Sequence, residues 1–210
     1  MIDLDHLSPA DLSALLCSRI CHDIVSPVGA INNGLELIED IGPDEGAMDL
    51  IKTSAVNASS RLQFFRIAFG AAGSAGVQID TGDAEKVATA WIKDEKPEMT
   101  WSCDRALLAK NRVKLMLNVL IVANASLPRG GEIDFKVEGA LTETQTIAAT
   151  ATGRMAKVPA ALSEMLGATS SEVQVDAHNV QFFYTLLLAR EAGMTITVSQ
   201  DENKVVIRAA

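Results

Sequence analysis

The chain has 210 residues, 48% of them hydrophobic and 21% charged, the balance of a folded globular protein rather than a disordered or collagen-like one. Eighteen Lys and Arg stand against 27 Asp and Glu, a formal net charge of −9, so the broad positive field that captures a phosphate backbone is missing and nucleic acid is not an expected partner. Three cysteines without framework spacing (Cys17, Cys21 and Cys103) and an N-terminal stretch lacking a basic or an apolar region lead us to expect a reduced, cytoplasmic protein. No stretch approaches ~18 uninterrupted apolar residues, so no membrane partner is expected.

Residues 7–40 place Leu12, Leu16, Ile20, Ile24, Val28, Ile31, Leu35 and Ile38 at the threes and fours of one helical face. Ser8, Pro9 and Asp11 supply an N-cap, a proline at the first helical position and an acid for the positive helix end. Gly42-Pro43 stops that helix, and from Met48 a second stripe runs through Ile51, Ala55, Ala58, Leu62, Phe65 and Phe69 in strict 3-4 alternation, which asks for helical partners. The two helices form an antiparallel hairpin. A lone hairpin leaves half its stripe wet, so pairing with a second copy into a four-helix bundle is the economical closure and a homodimer is expected.

Residues 70–82 are small and glycine-rich, which sets three expected parts: a helical hairpin over 1–72, a linker over 73–82 and a second domain over 83–210. Within the second domain the spacing predicts helices over 84–93, 106–126, 159–166 and 181–191. Strands are predicted over 99–103, 132–137, 144–152, 195–199 and 204–208, with Gly193 as a helix C-cap. The fold class is α+β, with helices on one face of a mixed sheet. Trp91, Trp101, Phe182, Phe183 and Tyr184 are assigned to its core.

At about 100° per residue, His22 lies on the side of the first helix opposite Ile20 and Ile24, facing solvent. Arg19, Ser26, Gly29 and Asn33 share that side, small or hydrogen-bonding groups that leave room for a docking protein. A neutral imidazole offers one nitrogen as a nucleophile, and a carboxylate on the other N–H fixes the tautomer and steadies the charge gained on attack. Asp23 is the candidate for that carboxylate, although neighbours in sequence do not normally face one another on a helix. Pro27 removes an N–H about one turn later and should open a kink.

The segment His22-Asp23-Ile24-Val25-Ser26-Pro27 resembles the H-box of sensor histidine kinases, carried on the first helix of a dimerising hairpin. In that family the second domain has the Bergerat ATP-binding fold, and this chain departs from its motifs. The run from Asn118 to Ala123, followed by Pro128-Arg129-Gly130-Gly131, resembles the N-box and the turn beyond it. Val122 stands where the Mg²⁺-ligating Asn would be, although a two-residue slip would put Asn124 there, and valine offers no oxygen to a hard cation. After the 144–152 strand, Thr152-Gly153-Arg154 lacks the adenine-contacting Asp and the second Gly. Ahead of the last long helix, the phosphate-cradling glycines are replaced by His178-Asn179-Val180-Gln181-Phe182-Phe183.

A competent H-box joined to a degenerate ATPase-like α/β sandwich resembles the histidine phosphotransferases of the alphaproteobacterial cell-cycle phosphorelay. The resemblance implies that the 1–72 hairpin is the dimerisation and phosphotransfer unit and that 83–210 is an ATPase-like domain without a nucleotide site. It implies that His22 accepts a phosphoryl group from the receiver aspartate of a hybrid histidine kinase and passes it to response regulators of the CtrA or CpdR kind. No cofactor of its own follows, with Mg²⁺ arriving on the receiver. Two rivals are an ATP-dependent histidine kinase with unconventional nucleotide contacts and a receiver-binding module without transfer.

Plainer roles account for the remaining candidates. Cys17 and Cys21, at i and i+4 beside His22, give at best an incomplete metal site and otherwise behave as small hydrophobes. His6 and His178 have no neighbouring constellation in the sequence and read as surface or capping residues.

Overall fold

The computed structural model describes residues 2–70, 78–139, 145–167 and 173–210. Helix α1 runs Pro9–Ile41, opened by Ser8, whose Oγ accepts the Asp11 N–H at 3.1 Å, and closed by Gly42 at φ 82°. Helix α2, Glu45–Ala68, starts three residues before the first predicted apolar position because Asp44 caps it, accepting the Ala47 N–H at 2.8 Å. The helices touch closely at Gly34, where a Cβ would come within 2.6 Å of Ile51 Cγ1.

Little of α1 is covered in the single chain: only Leu16, Pro27 and Gly34 are buried. Among the described residues, all the exposed large apolar side chains except Leu107 and Met155 belong to the hairpin, including Val25, Val28, Leu35, Met48, Val56 and Leu62. By length and composition alone α1 is long and apolar enough to cross a membrane, a property that a search for an uninterrupted apolar run passes over. The Arg19–Asp23 ion pair in its middle and the packing of its other face on α2 fit an amphipathic hairpin helix.

The second half is a five-stranded mixed sheet ordered β2-β4-β5-β7-β6, built from β2 Pro97–Cys103, β4 Gly131–Glu138, β5 Thr146–Thr152, β7 Lys204–Ala209 and β6 Ile196–Asp201. Among the described strands only β2 and β4 pair parallel. Alternation along β4 buries Ile133, Phe135 and Val137 and leaves the opposite side open, so the helices cover one face. Trp101 and Phe135 are register partners whose rings stack at 4.4 Å. Gly131, at φ 140°, lets β4 begin beside β5, since a Cβ there would meet the Thr152 carbonyl at 2.3 Å.

Helix α4, Lys110–Ala125, is buried almost all round and forms the centre of the core, between β5 and β7 on one side and α6, Val180–Glu191, on the other. Helices α3, Thr81–Ile92, and α5, Ala160–Gly167, complete the layer.

Two expectations are corrected. The predicted 73–82 linker is not all linker: residues 78–80 form strand β1, Gln78–Asp80, and Thr81 and Gly82 open α3, while residues 73–77 lie outside the described residues. The cause is tertiary, because β1 pairs with β3, Leu107–Ala109, and Asp80 is claimed by both the Gly82 N–H and the Arg105 guanidinium. The same pairing shortens the predicted 106–126 helix, whose first residues become β3.

The α2 stripe finds helical partners, in α1 and, at its last turns, in the second domain: Phe64, off the predicted stripe, is fully buried and stacks on Trp91 of α3 at 4.3 Å, and Phe69 lies against Tyr184 of α6. Asn118, buried in α4, donates to the Ala68 carbonyl at 3.0 Å and so satisfies an orphan acceptor at the end of α2.

Candidate functional site

His22 sits midway along α1 with its side chain 68% exposed, as the helical wheel requires. Its Nδ1 lies 3.3 Å from Asp23 Oδ1. A carboxylate can only accept, so the hydrogen on this contact belongs to Nδ1, and the lone pair is then on Nε2. Among the described residues Nε2 has no hydrogen-bond partner. Sequence neighbours reach one another here because Asp23 is turned by Arg19, whose Nε donates to Oδ2 at 2.9 Å from one turn earlier. Pro27 is buried in the hairpin, and lacking an N–H it leaves the Asp23 carbonyl without its i+4 donor.

The other expected contact residues divide. Ser26 and Asn33 are exposed on the His22 side, and Gly29 faces open space, with nothing within 4 Å of where a Cβ would stand. Arg19 is not free to greet a partner. Its side chain is only 27% exposed and is committed to Asp23, with Nη1 also 3.5 Å from the His178 carbonyl.

An open cleft of about 380 Å³ lies beside the imidazole, lined by His22, Asp23 and Ser26 from α1 and by Thr53, Asn57 and Arg61 from α2. Arg61 went unnoticed in the sequence. It donates to Asn57 Oδ1 and, at 2.7 Å, to Glu95 Oε1, and Glu95 in turn accepts from Asn124 Nδ2 at 3.1 Å. This relay from α2 to the loop after α3 and on to α4 joins the two halves next to the site. Of the two candidates for the N-box position, Val122 is buried in the core and Asn124 lines a second crevice, of about 210 Å³, between the two halves, where Glu95 holds its amide.

His178 corrects a further expectation. It has a constellation after all: its ring stands edge-to-face on the His22 ring, centroids 5.8 Å apart at 82°. His6 takes the plainer role, lying edge-on to Phe183. The first turn of α6 is filled by bulky side chains, with Val180, Gln181, Phe182 and Phe183 all buried. Gly153 survives for packing, since a Cβ would meet the Gly130 carbonyl at 2.5 Å.

Behind the site Lys114 Nζ donates to the Tyr184 hydroxyl at 2.8 Å, and burial lowers the Lys114 pKa. Burial, with Glu191 nearby, pushes the Tyr184 hydroxyl up to about 12. Among the described residues no group of three or more His, Cys, Asp and Glu is placed to hold a metal ion.

Residues 81–204 match the family model described as the histidine phosphotransferase C-terminal domain, and the chain belongs to that family. It is 58% identical over 203 residues to the protein phosphotransferase ChpT of Brucella abortus (strain 2308), covering 97% of each chain. A solved structure of a bacterial phosphotransferase superposes with a TM-score of 0.90 at 55% identity, over 97% of this chain and 98% of that one.

Proposed function

We propose that this protein is a relay stop in a multistep phosphorelay, with His22 as its phosphoacceptor. The observation that carries this reading is the exposed imidazole with Nδ1 on Asp23 and Nε2 without a hydrogen-bond partner among the described residues. A receiver docks on the hairpin face of Ser26, Gly29 and Asn33. The Nε2 lone pair attacks phosphorus, the N–P bond forms as the P–O bond to the receiver aspartate breaks, and that electron pair returns to the aspartate. Asp23 balances the positive charge gained by the imidazole, and Arg19 keeps the carboxylate in place. Delivery to a second receiver runs the same exchange in reverse. The divalent cation comes with the receiver's own carboxylates.

The donor in this reading is the receiver of a hybrid histidine kinase and the acceptors are regulators of the CtrA or CpdR kind, all in the cytoplasm. A second copy of the chain covers the apolar hairpin face, making the four-helix bundle. The bulky, buried first turn of α6 supports an ATPase-like domain that no longer binds nucleotide, so phosphate enters from a receiver and not from ATP.

The test is to incubate the protein with a radiolabelled phospho-receiver and, separately, with labelled ATP alone. Acid-labile phosphate is expected from the first only, and none on His22→Ala. Label surviving on that variant, or arriving from ATP without a donor, would refute the reading.

A further inference from the structure

An exposed imidazole on a helix is ordinarily loose: χ1 has staggered alternatives and χ2 is broad, and only one arrangement puts Nδ1 on Asp23. The Asp23 contact, at 3.3 Å, is long for a hydrogen bond and does not hold the ring by itself. The second restraint comes from the other domain, where the His178 ring meets the His22 ring at 5.8 Å and 82°, a favoured edge-to-face arrangement.

His178 is itself fixed, and by its backbone. Its N–H donates to Asp176 Oδ1 at 2.8 Å, and its carbonyl accepts from Gln181 Nε2 at 3.0 Å and lies 3.5 Å from Arg19 Nη1. The same Arg19 donates through Nε to Asp23 at 2.9 Å. One guanidinium therefore braces the two neighbours that flank the His22 ring, the carboxylate on its own helix and the imidazole-bearing loop of the second domain.

We propose that His178 is a positioning residue for phosphoryl transfer, contributed by the second domain to the site on the hairpin: its ring packs on His22 and holds Nε2 in the direction from which a receiver phosphoryl group is attacked. The inference rests on the reading of His22 as the phosphoacceptor. It gives the segment before α6 a use at the site on the hairpin. Orientation of this kind acts on the rate of the transfer step more than on binding.

Full-length His178→Ala and His178→Phe proteins test it. Because the loop is held by backbone groups of residue 178, both variants should melt with the parent. The Ala variant should accept label from a phospho-receiver about three- to tenfold more slowly at saturation, the range an edge-to-face ring pair corresponds to. Its His22 ring nitrogens, followed by NMR, should shift from a dominant Nδ1–H form towards the mixture of a free imidazole. The Phe variant keeps a ring and should recover to within about twofold.

A parental rate with Ala, a Phe variant no faster than Ala, or a change confined to the half-saturating receiver concentration would each overturn the proposal. Failure of the His22 reading shows elsewhere, as label accepted by His22→Gln, and the NMR comparison is independent of it.

Discussion

Replacing Asp23 by Asn tests the chemistry at its most exposed point. In the proposed transfer step the His22 imidazole gains a positive charge while Asp23 Oδ1 stands 3.3 Å from Nδ1. Two unit charges at that separation attract by about 1.3 kcal/mol at the dielectric of water and about 2.5 kcal/mol at half that value, and the 68% exposure of His22 places the pair in this range. Losing it slows transfer roughly tenfold to seventyfold.

An amide adds a second fault. Its NH₂ can donate to Nδ1, which then carries the lone pair, and the hydrogen moves to Nε2 where the nucleophile should be. Asp23→Asn should therefore be slower than Asp23→Ala, which removes the charge without imposing the wrong tautomer. The assay is single-turnover label transfer at saturating phospho-receiver, with the tautomer followed by nitrogen NMR. An Asn variant within twofold of the parent, or one faster than Ala, would refute this account of Asp23.

Two glycines on one helix should respond oppositely: Gly29→Ala, in open space, should raise the melting stability by ~0.5–1 kcal/mol, whereas Gly34→Ala, against Ile51 Cγ1 and the Ala47 carbonyl, should lower it by ~1–3 kcal/mol in denaturant titrations. Leu62 is 50% exposed in the single chain, so Leu62→Ala should leave protomer folding nearly unchanged by circular dichroism and weaken self-association in sedimentation; an unaltered sedimentation profile would exclude this face as the contact between copies. Tyr184 is the single tyrosine of the chain, so tyrosinate absorbance reads it alone and should show a midpoint at about 12 in the folded protein against about 10 when unfolded. The folded state keeps that proton longer, so the contribution is lost as pH rises above about 10. A midpoint near 10 in the folded state would contradict the buried, Lys114-paired hydroxyl.

The hairpin was legible because each of its signals is local. Periodicity places the helices, Ser8 caps the first, Gly42 separates them, and the same wheel that buries Leu16 turns His22 outward, whereas the Asp44 cap that starts α2 early went unread. Strands β1 and β3 were not legible: each has three residues, too few for a period to register, and each exists because the other lies beside it. The Asp23 contact was suspected but not derivable, since it depends on Arg19 choosing a partner on its own helix. Arg61, Glu95 and Asn124 are single polar residues far apart in the chain, and His178 looked isolated because its neighbour is 156 residues away in sequence, His178 minus His22. Such groups acquire meaning only when the two halves are docked.

The docking itself is built from contacts that tolerate little play. The end of α2 is held by the buried Asn118 amide, by the Phe64–Trp91 stack and by the Arg61–Glu95–Asn124 relay, in which both Arg61 and Glu95 are only 19% exposed. Removing one partner of such a set strands a buried polar group, which costs more than the bond contributes, so the contacts stand or fall together. A second domain attached in this way cannot deliver a group by swinging towards the hairpin without first breaking them. What it can supply is a fixed surface, with the segment before α6 set beside His22 in the resting structure. A partner that meets preformed groups gives up less freedom on binding than one that must order them. The rigidity of the joint is thus a property of the proposed phosphoacceptor site as well as of the fold.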